Sequence, residues 1–385
     1  MQDCASLELQ VVSDPRGFDE LESAWKLLEQ VSASSSVFLS WDWQRLWWKH
    51  YGASRRLRII VVRSRTDIVG LLPLYLQEQR KAGGLLRVCK LRQLGSGGDT
   101  SPDDLGGLFM PGYEAAAAMH MARYVVQDLR EWDMLHWSDL PEQSPILRHF
   151  LDHLPRAGLR MAWRCSAPIV FGDLAPTWED YRRSLSRNRR ESMARKRRRF
   201  EGQAGAALRV IDTPDALDAG FDDLVRLHQL RWAQRTDRPA FSSPQYLGFH
   251  RELMHALLAQ GRLALLAADM QGSTIAMLYG LQFQGRFCFF QSGFDPAFAA
   301  YSPGDVLMGF AIEFAIRQGC SVFDMLKGEH DYKRHYMHRE RRNVEVQVFR
   351  KGIIDITYRL RDSMLQRHGW QSHRPAPPDS APVQA

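Results

Sequence analysis

Apolar residues along this chain fall in short runs separated by polar turns, the pattern of strands alternating with helices. Two stretches share one pattern. The apolar run 56–62, a polar turn over Arg63 to Asp67 and a second run 68–74 read as a hairpin. The run 262–268, a turn over Asp269 to Ser273 and a second run 274–280 read the same way, at an offset of 206 residues and without a gap. Such a match marks either an internal duplication or the ordinary likeness of two apolar hairpins. Around the first hairpin the pattern predicts a helix over Phe18 to Val31, an aromatic segment over residues 38–48 and a Gly-rich loop over residues 94–99. A helix from Tyr113 to Glu131 and a strand from Met134 to Trp137 follow.

The second half opens with a strongly basic helix, Tyr181 to Phe200, then a strand from Leu208 to Ile211 and helices over Ala216 to Gln234 and Pro244 to Gln260. After the second hairpin come a strand (Phe287 to Gln291), a turn (Ser292 to Pro296) and Ser302-Pro303-Gly304, which opens a helix ending near Gly319. A strand from Val322 to Leu326 then runs into the polar cluster Lys327 to Lys333. The short, polar, proline-terminated stretch Gly172 to Pro176 predicts a boundary. The expectation is an α/β fold with mixed sheets in two units, 1–172 and 177–360, the second opening with the basic segment 177–203. The tail 371–385 has prolines and no apolar run and is expected to be disordered.

Length supports two cores, since 385 residues exceed what one hydrophobic core usually serves. No apolar run approaches the roughly 18 residues of a membrane span, and the first residues lack the pattern of a secretory signal. Five scattered cysteines without a CxxC pair read as reduced thiols, with no metal site expected. The expected location is cytoplasmic, with a peripheral place at the inner membrane face left open. Ten Lys/Arg against one acid lie between Arg182 and Arg199, more than the whole net charge of +7, so the rest of the chain is slightly acidic. The basic character belongs to one element. It fits one local contact with tRNA, an anionic membrane or a phosphorylated carrier, or a solvated helix between units.

The chemistry suggested is that of a group transferase. Strand, turn and a helix start of Ser302, Pro303, Gly304 and Asp305 offer unpaired N–H groups to a phosphate, although any well-capped helix can begin so. Asp324 lies in an apolar strand, where a carboxylate must be paired or reactive. It is either a catalytic candidate or an anchor, whose expected partner is then Lys333 or Arg334. Glu329 and His330 are candidate proton acceptors, Tyr332 a candidate acid and Lys333 a contact for an anionic acceptor, or a solvated charge. His228 and Arg231 are candidate cleft residues, with a structural role the alternative for His228. Glu313 and Arg317 have the spacing of an i,i+4 pair, so Glu313 is not expected to be catalytic. Trp41, Trp43, Trp47 and Trp48 read as core or interdomain packing, with a sugar-stacking surface as the alternative. The chain has no GxxxxGK[ST], HExxH or GxSxG, which argues against ATP hydrolysis, zinc hydrolysis and a serine hydrolase triad.

Taken in order, these residues resemble a known family. They comprise Trp41 to Trp48 with the hairpin 69–74, the basic run Ser186 to Glu201, Leu227-His228 with Arg231-Trp232 and the segment 291–296. Ser302-Pro303-Gly304, Phe323-Asp324, Gly328-Glu329 and Tyr332-Lys333 complete the set. The chain resembles the CelD-like acetyltransferases of the GNAT superfamily, relatives of the Fem-type aminoacyltransferases. The resemblance implies two GNAT-like folds in tandem. It also implies acyl transfer from acyl-CoA, commonly acetyl-CoA, to an amine or hydroxyl of an envelope or exopolysaccharide precursor. The donor pyrophosphate would then lie at Ser302 to Val306. The usual Q/R-x-x-G-x-G/A loop is replaced by residues 300–304, which leaves aminoacyl-tRNA open as donor. A further alternative is a non-catalytic accessory protein of cellulose-type polysaccharide biosynthesis.

Overall fold

A computed structural model describes residues 7–81, 86–150, 159–232, 240–328, 331–350, 352 and 370–371. The two hairpins lie in two different sheets. In the first, β2 (Arg55–Ser64) pairs with β3 (Asp67–Lys81); in the second, β10 (Leu263–Met270) pairs with β11 (Ser273–Phe283). Both two-residue turns use a left-handed first residue, Arg65 and Gln271, the backbone that suits tight hairpin turns.

The sheets share one plan. Sheet one runs β1 (Leu7–Val12), β2, β3, β4 (Leu86–Gln93), β6 (Met134–Pro141), β15 (Asn343–Phe349) and β7 (Arg160–Cys165), with β5 (Leu108–Phe109) against β3. Sheet two runs β9 (Ala207–Ile211), β10, β11, β12 (Arg286–Phe294), β13 (Val322–Lys327), β8 (Ile169–Asp173) and β14 (Arg339–Arg341). In each, the fourth and fifth strands are parallel neighbours (β4 with β6, β12 with β13) and the remaining pairings are antiparallel.

The sixth place in each sheet is filled by a strand from the other half of the chain. β8 leaves the first unit to pair with β13, and β15 returns from the end of the second to sit between β6 and β7. Sheet membership therefore does not follow a single cut at Gly172–Pro176. β15 is buried along nearly its whole length, as a strand flanked on both edges should be.

The helices are α1 (Pro15–Glu20), α2 (Glu22–Val31), α3 (Trp41–Tyr51) and α4 (Glu114–Gln127) in the first unit. The second has α5 (Trp178–Ser184), α6 (Arg187–Glu201), α7 (Pro214–Trp232), α8 (Pro244–Ala259), α9 (Pro303–Arg317) and α10 (Asp331–Arg334). Two stretches expected as single helices are split. Leu21 separates α1 from α2, and Leu185, with extended backbone, separates α5 from α6. One face of sheet two is covered by α9 with α5 and α6. The other face shares its core with the first unit: α7 and α8 pack there with α3, and Trp43 meets Phe249 edge-on at 5.1 Å. Trp41, Trp43 and Trp47 are buried, so they serve packing and present no sugar-stacking surface.

Candidate active site

β12 and β13 run side by side only over Arg286–Cys288 and Val322–Asp324. Each strand then carries a bulge. In β12, Phe290 is the extra residue between the pairs Tyr279–Gln291 and Gly280–Phe289. In β13 the register shifts between Asp324 and Lys327, where Leu326 takes a left-handed backbone with φ 55°. Bulges bend strands and interrupt pairing, and here they accompany the parting of the two strands. A cavity of about 380 Å³ lies beside the later part of β12, lined by its Phe289, Ser292, Gly293 and Phe294, by residues 302–305 at the start of α9, by Arg231, and by Tyr332 and Tyr336 beyond the end of β13.

The local sequence explains the walls. Gly293 has no side chain because α7 packs directly on it; a Cβ there would collide with the backbone at Leu227 and His228. Ser302 stands at the N-cap position as expected, but in left-handed backbone (φ 53°, ψ 48°), and its hydroxyl makes no capping bond. Val306 N–H is the first amide to close back, onto Ser302 O at 3.1 Å. The amides of Gly304 and Asp305 precede it, in the turn where a helix has no acceptors of its own. Both residues line the cavity. A Cβ on Gly304 would meet nothing nearer than Phe294 at 3.9 Å.

Cations gather at this end. Lys196 of α6 pairs with Asp305 at 2.7 Å, and the Tyr336 hydroxyl donates to the same carboxylate. Burial pushes the Asp305 carboxyl up, but the bonds from Lys196 and Tyr336 outweigh it and hold it below the usual range. Arg189 lies over the Tyr336 ring at 5.0 Å and Arg199 over the Tyr301 ring at 5.6 Å. Arg231 donates to Ser292 Oγ at 3.0 Å, lies over the Phe294 ring at 5.5 Å and hydrogen-bonds Tyr332, whose phenol burial pushes up. The basic helix is thus no remote connector, for it is joined to the cavity wall through Asp305 and Tyr336. Among the described residues Arg190, Arg195 and Arg198 make no side-chain ion pair.

The other candidates fall into different places. His228 is buried behind the cavity, its ring edge-on to Phe241 at 5.0 Å and bonded to Gln291. Burial, and next Arg231, lower it to about 4, so it is a neutral packing residue near pH 7. Asp324 is fully buried and does not pair with Lys333 or Arg334. Its Oδ2 accepts from Arg286 and Arg341, both at 2.8 Å, and its Oδ1 accepts Leu326 N–H at 2.8 Å. Lys333 is engaged elsewhere and is not a solvated charge. It is 4% exposed, and its Nζ donates to Leu326 O (2.8 Å) and Lys327 O (2.9 Å). Burial lowers it to about 8. Glu313 holds Arg197 and Arg317, an anchoring role. Glu329 and His330 lie outside the described residues, as does the tail 372–385.

Sequence reasoning did not find the charged layer between the units. Lys327 Nζ donates to Asp139 (2.6 Å) and to Pro102 O (2.9 Å), while Lys327 N–H donates to Asp103 Oδ2 (2.9 Å). Arg341 bridges Asp104 and Asp324. Asp103 comes from a loop and Asp139 from β6, each more than 180 residues from Lys327 in sequence, and no periodic signal links a carboxylate to so distant a partner. No described helix is long and apolar enough to cross a membrane, and among the described residues no His/Cys/Asp/Glu group is placed to hold a metal.

A helix start with unpaired amides in a cavity wall is a way of seating the anionic end of a ligand. Residues 187–334 match the family model described as an acetyltransferase (GNAT) domain. Over these residues the chain is similar to a GNAT acetyltransferase domain. No curated protein matches the sequence significantly. Solved structures similar in fold include FemX, at TM-score 0.58 and 9% identity over 88% of this chain and 96% of that one. L-PGS from Bacillus licheniformis is another, at TM-score 0.52 and 11% identity over 94% of this chain and 98% of that one. A Bacteroides thetaiotaomicron protein of unknown function gives 0.54 and 11% over 89% and 100%. At such identities these likenesses establish a shared fold that spans both units, while the GNAT domain carries the acyltransferase assignment.

Proposed function

We propose that this acyltransferase binds an acyl-CoA, acetyl-CoA first among them, in the cavity between β12 and α9. The acyl group then passes directly to an amine or hydroxyl of an envelope or exopolysaccharide precursor. The observation that carries the reading is the cavity's asymmetry. One side is apolar, with Phe289, Phe294 and Met308. The other has the early α9 amides, with Lys196, Arg189 and Arg199 of α6 close behind through Asp305, Tyr336 and Tyr301. A slender pantetheine arm with its methyl and methylene groups on the apolar side and its phosphates toward the amides matches both sides.

In the proposed step the acceptor's nucleophile attacks the donor carbonyl, the C–S bond breaks and the thiolate leaves. Tyr332, in the cavity wall and bonded to Arg231, is the proposed proton source for the thiolate. Glu329 or His330 is the proposed acceptor of the nucleophile's proton, directly or through water. His228 is too strongly held neutral and too far inside the core for that role, and Asp324 is committed to two arginines. Titrating acetyl-CoA into the purified protein by calorimetry tests the donor site; binding at micromolar concentration supports it, and no heat at millimolar concentration removes acetyl-CoA as donor.

A second reading is favoured by a specific observation. The FemX fold extends over both units, and α6, joined to the cavity wall through Lys196 and Asp305, carries Arg190, Arg195 and Arg198 outside any ion pair among the described residues. An aminoacyl-tRNA could place its 3′ end in the same cavity while its backbone rests on that helix. A tRNA shift assay run beside the calorimetry separates the two donors.

A further inference from the structure

The part of β13 that leaves β12 has no ladder on that edge and keeps only the Lys327–Ile169 pair with β8 on the other, so its buried backbone groups need replacements. Charged side chains provide most of them. Leu326 N–H is accepted by Asp324 at 2.8 Å, and Lys327 N–H by Asp103 at 2.9 Å. The carbonyls of Leu326 and Lys327 both take the Lys333 ammonium, at 2.8 and 2.9 Å. Gly328 N–H goes to Pro168 O at 3.1 Å. Asp103 belongs to the first unit, and it is 1% exposed.

We propose that Asp103 and Lys333 are positioning residues that hold β13 away from β12, so that the first unit shapes the donor cavity of the second. This rests on the donor reading above for its consequence, though not for its geometry. Neither residue lines the cavity. Lys333 is joined to it through Tyr332, its chain neighbour in α10. Asp103 faces Lys327 and Lys333 from the second unit and Asp104 and Asp139 from the first. Burial raises its carboxyl to about 7 despite Lys327, so an ion here is costly, and its use as an acceptor for a strand amide explains why a carboxylate stands there. A role confined to packing would be met as well by an apolar side chain.

The test is hydrogen exchange on the full chain and its variants Asp103→Leu, Asp103→Asn and Lys333→Met, with acetyl-CoA titrated into each. Asp103→Leu and Lys333→Met should speed exchange at Leu326 to Gly328 about tenfold or more, the scale of one missing hydrogen bond, while Phe287 and Phe323 stay protected. Asp103→Asn keeps an oxygen for the Lys327 amide and should restore most of the protection. Acetyl-CoA affinity should fall in the same order. Unchanged exchange at Leu326 to Gly328 in Lys333→Met, or equal loss of protection along all of β12 and β13, overturns the proposal, and Lys333→Met decides it if Asp103→Leu does not fold. If wild type binds no acetyl-CoA while the exchange pattern holds, the donor reading fails and the positioning role stands.

Discussion

At Asp324 the need of a buried carboxylate for partners is met by residues to which the sequence did not point. Its place in an apolar strand announced a paired carboxylate, but Arg286 and Arg341 were invisible as partners because they lie across a sheet and at the far end of a loop. Asp324→Asn should therefore cost about 3–5 kcal/mol, the scale for leaving buried charges uncompensated, measured as a lower urea midpoint with unchanged slope. His250 offers a prediction of opposite sign. It is fully buried among Trp43, Tyr246, Phe249 and Phe290, and among the described residues neither ring nitrogen has a hydrogen-bond partner. Burial lowers it to about 3. A depressed folded value means stability is whole above about 6.5 and drains away as pH falls toward about 3. His250→Phe should leave the Tm at pH 8 equal or higher and flatten its fall between pH 6.5 and 4. A steeper fall in the variant would show that the imidazole has a partner worth keeping.

At the scale of elements, the periodic signals were sound where they were local. Both hairpins, the strand before the turn, α9 and the alternation in β13 appear where the pattern put them, with Phe323 and Met325 on one face and Leu326 on the other. What the pattern missed were breaks and bulges, since one residue with unusual backbone, such as Leu326 or Leu185, leaves hydrophobic periodicity almost untouched. The start of α9 can be tested directly. Gly304→Val meets no steric obstacle in the protein, so the fold should persist while acetyl-CoA affinity falls at least about tenfold, the result expected when bulk stands where a phosphate must approach backbone. On α6 two groups of cations should separate. Lys196→Glu sets like charges against Asp305 and should weaken acetyl-CoA binding. Arg195→Glu with Arg198→Glu should leave it alone, yet lower any tRNA affinity and reduce the salt slope by about one for each phosphate no longer neutralised. Identical behaviour of the two groups would mean that α6 has no division of labour.

For the whole molecule, the common plan of the two sheets was legible in the offset hairpins, but the crossing of strands between sheets was not, because pairing partners leave no mark on the strand that awaits them. β15 supplies the sixth place of the first sheet, and β8 that of the second. Expressing residues 1–168 alone should give aggregated protein, as should 169–385 alone, while co-expression should return a soluble complex that elutes as one species. A soluble, monomeric 1–168 fragment would show that the gap between β6 and β7 is tolerated.

The exchange also sets a timetable. On a ribosome adding roughly 5–20 residues per second, the first sheet waits about 10–40 seconds after β7 emerges before β15 exists to enter it. Throughout that interval β6 and β7 present unsatisfied edges of the kind that pair with any extended neighbour. Synthesis rate, chaperone supply and the crowding of nascent chains would then govern how much active protein a cell obtains, with no change in the stability of the finished molecule.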